Sequence, residues 1–213
     1  MSGIMLNVVG GNFAPSVPTV IGQAFGGGYY AGQIGVSGVA THYLIVGPVA
    51  SAQAVKDYKN ANTATAGADS DIDGPQNTAD IVADGNSTVY PAGHFCNDLV
   101  IGGFSDWYMP AKNELEVCYY NLKPNTTANN TSSGINPNSV PARASNYTSG
   151  DPAQTSAADF QAGGTEAFEA EPFWCSTEFS AANARFQRFS TGIQDNRPKG
   201  DFLRVRAVRR IPV

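Results

Sequence analysis

The chain has 213 residues, of which 42% are hydrophobic and only 15% charged, against the roughly 25% charged that is usual for a soluble domain. Its net charge of −5 is unevenly spread: residues 185–213 hold eight of the thirteen Lys and Arg and two of the eighteen Asp and Glu, so that end carries +6 and the rest −11. No run approaches the ~18 apolar residues of a membrane span, and Met1-Ser-Gly-Ile-Met-Leu6 lacks the basic and apolar regions of a signal peptide, so neither membrane insertion nor secretion by that route is expected.

Without a composition break, the chain reads as one domain over residues 21–213, preceded by a Pro-bounded arm, residues 1–20, suited to attachment. Gly26-Gly27-Gly28 predicts a tight turn into a strand, Tyr29–Ile34, which forms a hairpin with the β-branched and aromatic strand Thr41–Val46. No Lys-Ser/Thr follows the glycines, so they are not read as a phosphate loop. A short helix is expected at Ala50–Tyr58.

Asp69-Ser-Asp-Ile-Asp-Gly74, with Asp80 at the twelfth position, has the oxygen spacing of a calcium loop, which makes Asp69, Asp71, Asp73 and Asp80 candidate ligands and calcium a candidate cofactor. Against this, the loop closes on Asp rather than Glu and Pro75 follows the glycine. The plainer reading is a turn whose carboxylates cap the segment Asn77–Val82.

Residues 90–101 predict a helix burying Phe95, Cys96 and Leu99, with His94 just off that face. The most specific stretch follows: Gly102-Gly-Phe-Ser-Asp-Trp-Tyr-Met-Pro-Ala-Lys-Asn-Glu-Leu115, a turn, a short aromatic segment and a helix start. Pro110 stands where a first turn tolerates a missing N–H, and Pro124 stops the helix near Leu122. Leu115, Cys118, Tyr119 and Leu122 fall on one face, leaving Lys112, Asn113, Glu116 and Lys123 mostly to water. Glu114 sits in the first turn, where the helix dipole favours negative charge.

Residues 124–165 are poor in large apolar side chains and rich in Asn, Thr, Ser, Gly and Pro. So long an irregular stretch is a candidate interaction surface. Phe173-Trp-Cys-Ser-Thr-Glu178 predicts a buried strand. In Ala184–Ser190, Phe186 and Phe189 are out of step by one, which calls for a bulge or a turn. A loop, Gly192–Gly200, leads to a last strand, Phe202–Arg209, with Leu203, Val205 and Ala207 on one side and Arg204 and Arg206, paired with carboxylates, on the other. Cys96, Cys118 and Cys175 are odd in number, contain no Cys-x-x-Cys, and read as buried thiols. The sum is α+β: two helices, antiparallel strands with the first and last paired, and long irregular loops.

Four features in this order resemble the bacterial and phage family named after the Lcl adhesin C-terminal domain: the Gly26 turn and its strand, Asp73-Gly74 with Asn77-Thr78, the 102–115 stretch, and Phe173–Glu178 with the closing Arg204–Arg209 strand. Its motif residues match here at Trp107, Pro110, Glu114, Leu115, Trp174, Ser176, Thr177, Glu178, Arg204 and Arg206, while Tyr108-Met109, Ala111 and Cys175 depart from the pattern. The resemblance covers about residues 21–210 and implies a C-type-lectin-like fold. The wording at Gly103–Trp107, Leu122–Pro124 and Gln187–Arg210 is similar to versions encoded among phage tail genes. That implies a virion location, with other virion subunits and a host-surface glycan or protein as partners, in a homo-oligomer of which a trimer is the common form.

The leading expectation is therefore a noncatalytic recognition module of tail-fibre type, using Asn146, Tyr147, Phe179, Asn183, Arg185, Gln187, Gln194 and Asn196 as a loop-built surface. One variant makes residues 179–200 a hypervariable receptor patch, and a second class is a structural decoration protein of capsid or tail. An enzyme of the lectin-fold modifying kind needs a positioned cysteine pair, and a glycosidase would have to use Glu114 and Glu178. Both carboxylates read better as structural, and Glu178 is expected to pair with an arginine such as Arg206. Nucleic acid is not an expected partner, because no basic run interleaved with aromatics extends beyond Arg185–Phe189.

Overall fold

The computed structural model describes residues 17–213, so most of the attachment arm inferred for residues 1–20 lies outside the described residues. Two sheets organise the rest. The first has the order β1-β2-β3-β9, from Ala24–Phe25 (β1), Gly28–Val36 (β2), Val39–Val46 (β3) and Val208–Pro212 (β9). The second has the order β4-β8-β5-β6-β7, from Gln53–Lys56 (β4), Pro172–Glu178 (β5), Asn183–Arg188 (β6), Gln194–Pro198 (β7) and Leu203–Arg206 (β8). All pairs are antiparallel except β5 with β8. Gly26 and Gly27, at φ +58° and +85°, make the tight turn between β1 and β2, and the predicted β2–β3 hairpin runs on to Val36 and Val39.

Four α-helices rather than two stand among the described residues: Val49–Ala52 (α1), Gly74–Asp84 (α2), Pro91–Asn97 (α3) and Lys112–Leu122 (α4). The expected helix at Ala50–Tyr58 is a single turn that gives way to β4. The unexpected α2 starts at the acidic turn, where Asp73 Oδ1 accepts from Gln76 N (3.4 Å) and Pro75 fits the first turn. The acidic cluster is thus a cap, and its polar helix gave no strong apolar period. Among the described residues no helix is long and apolar enough to cross a membrane.

Within the five-stranded sheet β5 is buried on both faces, which explains why its Pro172-Phe-Trp-Cys175 start is a continuous apolar run rather than an alternating one. Trp174 packs on one side with Phe186, Leu203, Val205 and Tyr58. Phe173 and Cys175 pack on the other with Phe168, Phe189, Tyr119 and Leu122. Phe168 and Phe189 stack face to face at 4.0 Å, and Phe189 lies beyond β6, in the turn that the broken phase of Phe186 and Phe189 required. The presumed loop Gly192–Gly200 contains strand β7, paired residue for residue with β6.

The largest departure from expectation is at the end of the chain. The single strand read over Phe202–Arg209 is two strands in two sheets, broken at Ala207. β8 lies between β4 and β5, whereas β9 joins β3 and so pairs with the second strand of the hairpin, not the first. The arginines do pair with carboxylates. Arg204 meets Glu169 at 3.1 Å, and fully buried Arg206 meets Glu166 at 2.8 Å while also donating to the Gly47 and Glu166 carbonyls. Glu178 pairs with Lys199 (2.8 Å) instead of Arg206, because β5 carries Glu178 to the end of the sheet remote from Glu166.

Removing one member of a buried ion pair strands the other, so Arg206→Ala lowers unfolding stability by about 3–5 kcal/mol, measured by urea denaturation. The double change Arg206→Met with Glu166→Gln recovers part of that loss. Burial pushes all three thiols up, that of Cys175 to about 12. Native protein at pH 8 therefore takes up no thiol reagent within minutes, and denatured protein takes up three equivalents.

Candidate functional site

Helix α4 positions a polar cleft. At its N-terminus, Glu114 Oε2 accepts from the backbone N of Ala111 (2.8 Å) and of Gly74 (3.2 Å), tying the starts of α4 and α2 to one carboxylate. Thr177 Oγ1 accepts from Lys112 N (3.0 Å) and donates to the Ser70 carbonyl (2.9 Å), so the Ser-Thr-Glu strand end caps the same helix. Asn77, fully buried, brackets Ser70 and donates to Ser176 Oγ. Gly74, Asn77, Glu114, Ser176 and Thr177, from three of the stretches singled out in the sequence, are therefore one interlocked unit.

Against expectation, the polar face of α4 does not meet water. Asn113, Glu116 and Lys123 are all buried. They anchor the irregular segment between α4 and β5, which holds one short 3-10 turn, Ala158–Phe160, and folds through polar contacts in place of a sheet. Glu116 accepts from Asn136 Nδ2 (2.5 Å), Tyr147 Oη (2.6 Å) and Arg143, whose guanidinium lies over the Tyr120 ring at 4.0 Å. Lys123 donates to the carbonyls of Thr127 (2.6 Å) and Pro152 (3.1 Å). Burial raises the Glu116 carboxyl above the ordinary glutamate value, and Arg143, Tyr147 and Asn136 pull it back only in part.

This network presses residues 132–137 and 146 against the β6–β7 ribbon and leaves a cleft of about 350 Å³ between them. Its walls carry Lys112 and Asn113 from α4, Ser133 and Gly134 from the loop, Asn146, Arg185 from β6, and Gln194 from β7. Ser133 Oγ accepts from Gln194 N (3.1 Å) and Gln194 Oε1 accepts from Gly134 N (3.2 Å), stitching loop to strand. Lys112 and Asp71 form a 2.7 Å ion pair at the rim. Two buried polar atoms in the walls have no partner: Asn113 Oδ1, an acceptor, and Gln194 Nε2, a donor. Arg185 rests on the Phe179 ring at 4.4 Å.

Three of the eight residues proposed from sequence for a loop surface, Asn146, Arg185 and Gln194, thus meet in one cleft, with exposed Phe179 beside it. Asn196 stands cross-strand from Arg185, and Asn183 closes the Phe179–Asn183 turn. Tyr147 and Gln187 are corrections. Both are buried, Tyr147 because its hydroxyl serves Glu116, and Gln187 because its Nε2 donates to the Gly192 carbonyl (2.8 Å) at the β6–β7 turn. Sequence reasoning missed Lys112, Asn113 and Asp71 as wall residues; their proximity to β7 is set by the irregular segment, which carries no periodic signal.

The four carboxylates of the calcium-like loop are not brought together. Asp71 pairs with Lys112, Asp73 caps α2 and lies 3.5 Å from Arg210, Asp80 accepts from Gln76 Nε2, and Asp69 points to solvent. Among the described residues no group of three or more His, Cys, Asp or Glu is arranged to hold a metal ion. Formation of α2 directly after Asp73 carries Asp80 two turns along the helix, which is why the spacing does not close into a ligand cage. Glu114 and Glu178 are likewise held apart, by Arg210 (2.7 Å) and Lys199 respectively. No family model and no curated protein matches the chain.

The Tyr147 hydroxyl stabilises the charged form of a buried carboxyl, so Tyr147→Phe costs about 1–3 kcal/mol at neutral pH. Because the folded carboxyl already sits above its unfolded value, the folded state holds a proton that the unfolded chain has released, and this group's contribution to stability falls as pH rises through that interval. The loss in Tyr147→Phe accordingly shrinks as pH is lowered toward the ordinary glutamate range, which denaturation at a series of pH values checks.

Proposed function

We propose that this chain is a noncatalytic recognition domain of a phage particle, with a C-type-lectin-like fold of the Lcl C-terminal type, which engages a host-surface glycan or protein through the cleft between α4 and the β6–β7 ribbon. The observation that carries the reading is the convergence of the two polar segments, residues 124–165 and 179–200, on one concave surface. A mixed set of Asn, Gln, Ser and Arg beside an aromatic ring suits a polyhydroxylated or peptide ligand, in which many weak polar contacts add up. The resemblance in the 102–115 and 173–178 motifs supports the fold and the virion setting, and the interlocking of those motifs supports their being one structural unit.

Loop-built binding surfaces work when the loops are rigid before the ligand arrives. The buried Glu116 network provides that rigidity, so binding is expected to need little rearrangement. Assembly as a homo-oligomer, a trimer in the family pattern, would multiply a weak single-site affinity.

The test is retention of the labelled protein on an array of bacterial surface glycans and on whole bacterial cells. Arg185→Ala combined with Asn146→Ala is expected to cut retention at least roughly fivefold, in line with the loss of one or two hydrogen bonds, with an unchanged melting temperature. Retention unaffected by the pair would sink the reading. Loss of particle assembly, with no retention on either surface, would instead support a decoration protein whose cleft faces a neighbouring subunit.

A further inference from the structure

The β6–β7 ribbon has a second face. Register sets Arg185 against Asn196 and Gln187 against Gln194, all on the side of the cleft just described. Side chains alternate along a strand, so Phe186 and Arg188 of β6 and Asp195 and Arg197 of β7 point the other way. Arg197 lies over the Phe186 ring at 5.5 Å, as this requires. At the end of the sheet, where this side meets Arg204 and Val55 from the opposite face, a separate cleft of about 350 Å³ opens between Arg188, Arg197, Arg204, Glu171, Val55 and Phe202.

Its composition is unusual for this chain, which has few charges and a net excess of acid. Three arginines meet at one hollow. Arg204 touches Glu169 at 3.1 Å and Arg197 touches Asp201 at a long 3.5 Å, each through one nitrogen, whereas a guanidinium offers five donors. Arg188 has no carboxylate partner among the described residues. It is half-buried, and an unpaired guanidinium held against protein surface is under-used as a donor. Beside it Phe202 is 72% exposed and Val55 50% exposed, an apolar floor that no other part of the described chain covers.

We propose that this second cleft binds an acidic sugar, with the carboxylate taken in the Arg188 fork and supported by Arg204 and Arg197. Planar, two-pronged geometry is what Arg supplies to a carboxylate. The Phe202 ring offers a flat surface to the C–H face of a pyranose, and the exposed Glu171 carboxylate accepts from its hydroxyls. The volume suits one saccharide residue rather than a folded partner. This site is independent of the cleft on the Arg185 face, and its success or failure leaves the earlier reading standing.

The experiment is an NMR titration of the full chain with glucuronic acid, with glucose as the neutral molecule of the same skeleton, and with glucose 6-phosphate. Glucuronic acid is expected to shift the signals of Arg188, Phe202 and Val55 saturably and to bind at least roughly tenfold more tightly than glucose, as a charge-assisted contact predicts. Arg188→Gln should remove that tenfold preference, and Phe202→Ala should weaken glucuronic acid and glucose alike. Equal binding of glucose and glucuronic acid, absence of saturable shifts, or an unaffected Arg188→Gln overturns the proposal. Tighter binding of glucose 6-phosphate than of glucuronic acid also overturns it and reassigns the arginines to phosphate.

Discussion

One buried carboxylate, that of Glu114, joins segments that are far apart in the chain. It accepts hydrogen bonds from the start of α2 at Gly74, from its own helix start at Ala111, from the Tyr108 hydroxyl, and from Arg210 of β9. A fully buried acid is costly unless its lone pairs are met, so each of these four partners is fixed by the need of the same group. Gly74 shows how tight the arrangement is: a Cβ there would lie 2.2 Å from Glu114 Oε2. Burial raises the Glu114 carboxyl while Arg210 chiefly pulls it down. The two helices and the closing strand could not keep their relative places without it.

The cleft on the Arg185 face follows from the same strategy two residues along α4. Glu116 does for the irregular segment what Glu114 does for the helix starts. Residues 124–165 bury few apolar side chains, chiefly Tyr147 and Phe160, and are held largely by Asn129, Asn136, Arg143 and Tyr147 bonding to fixed partners. Such a network loses more than a proportionate share of its stability when one member goes. It also leaves a surface rich in hydrogen-bonding groups whose positions are set beforehand.

What could be read from sequence was what local chemistry dictates. The Gly26-Gly27 turn, the β2–β3 hairpin, the apolar stripe of α4, the buried β5 run and the inert thiols all follow from spacing or composition within about a dozen residues. The failures have a common cause. Glu116 and Lys123 occupy the polar face of an amphipathic helix, and nothing in their neighbours says that a polar loop, not water, covers that face. Tyr147 was placed on the surface for the same reason. The acidic loop matched a ligand spacing that only a non-helical backbone would satisfy, and a Pro at the first turn sent the chain into α2. The division of residues 203–212 between two sheets turns on Ala207 alone, a residue without local signal. As for the binding residues, the alternation of β6 and β7 separates Arg185 and Gln194 from Arg188 and Arg197, and that was invisible while β7 was read as loop.

The place of β8 has a bearing on how the chain is made. It is the third partner of a sheet whose neighbours on either side, β4 and β5, are separated by more than a hundred residues and touch through it. During synthesis both strands leave the ribosome with an open edge, and the hydrophobic faces destined for Leu203 and Val205 wait uncovered. The first sheet is in a similar condition until β9 arrives to close against β3. Neither half can therefore be completed domain-first from the N-terminus. Until residues 203–212 have emerged both sheets stand unfinished, with the edges of β3, β4 and β5 open to pairing with other chains.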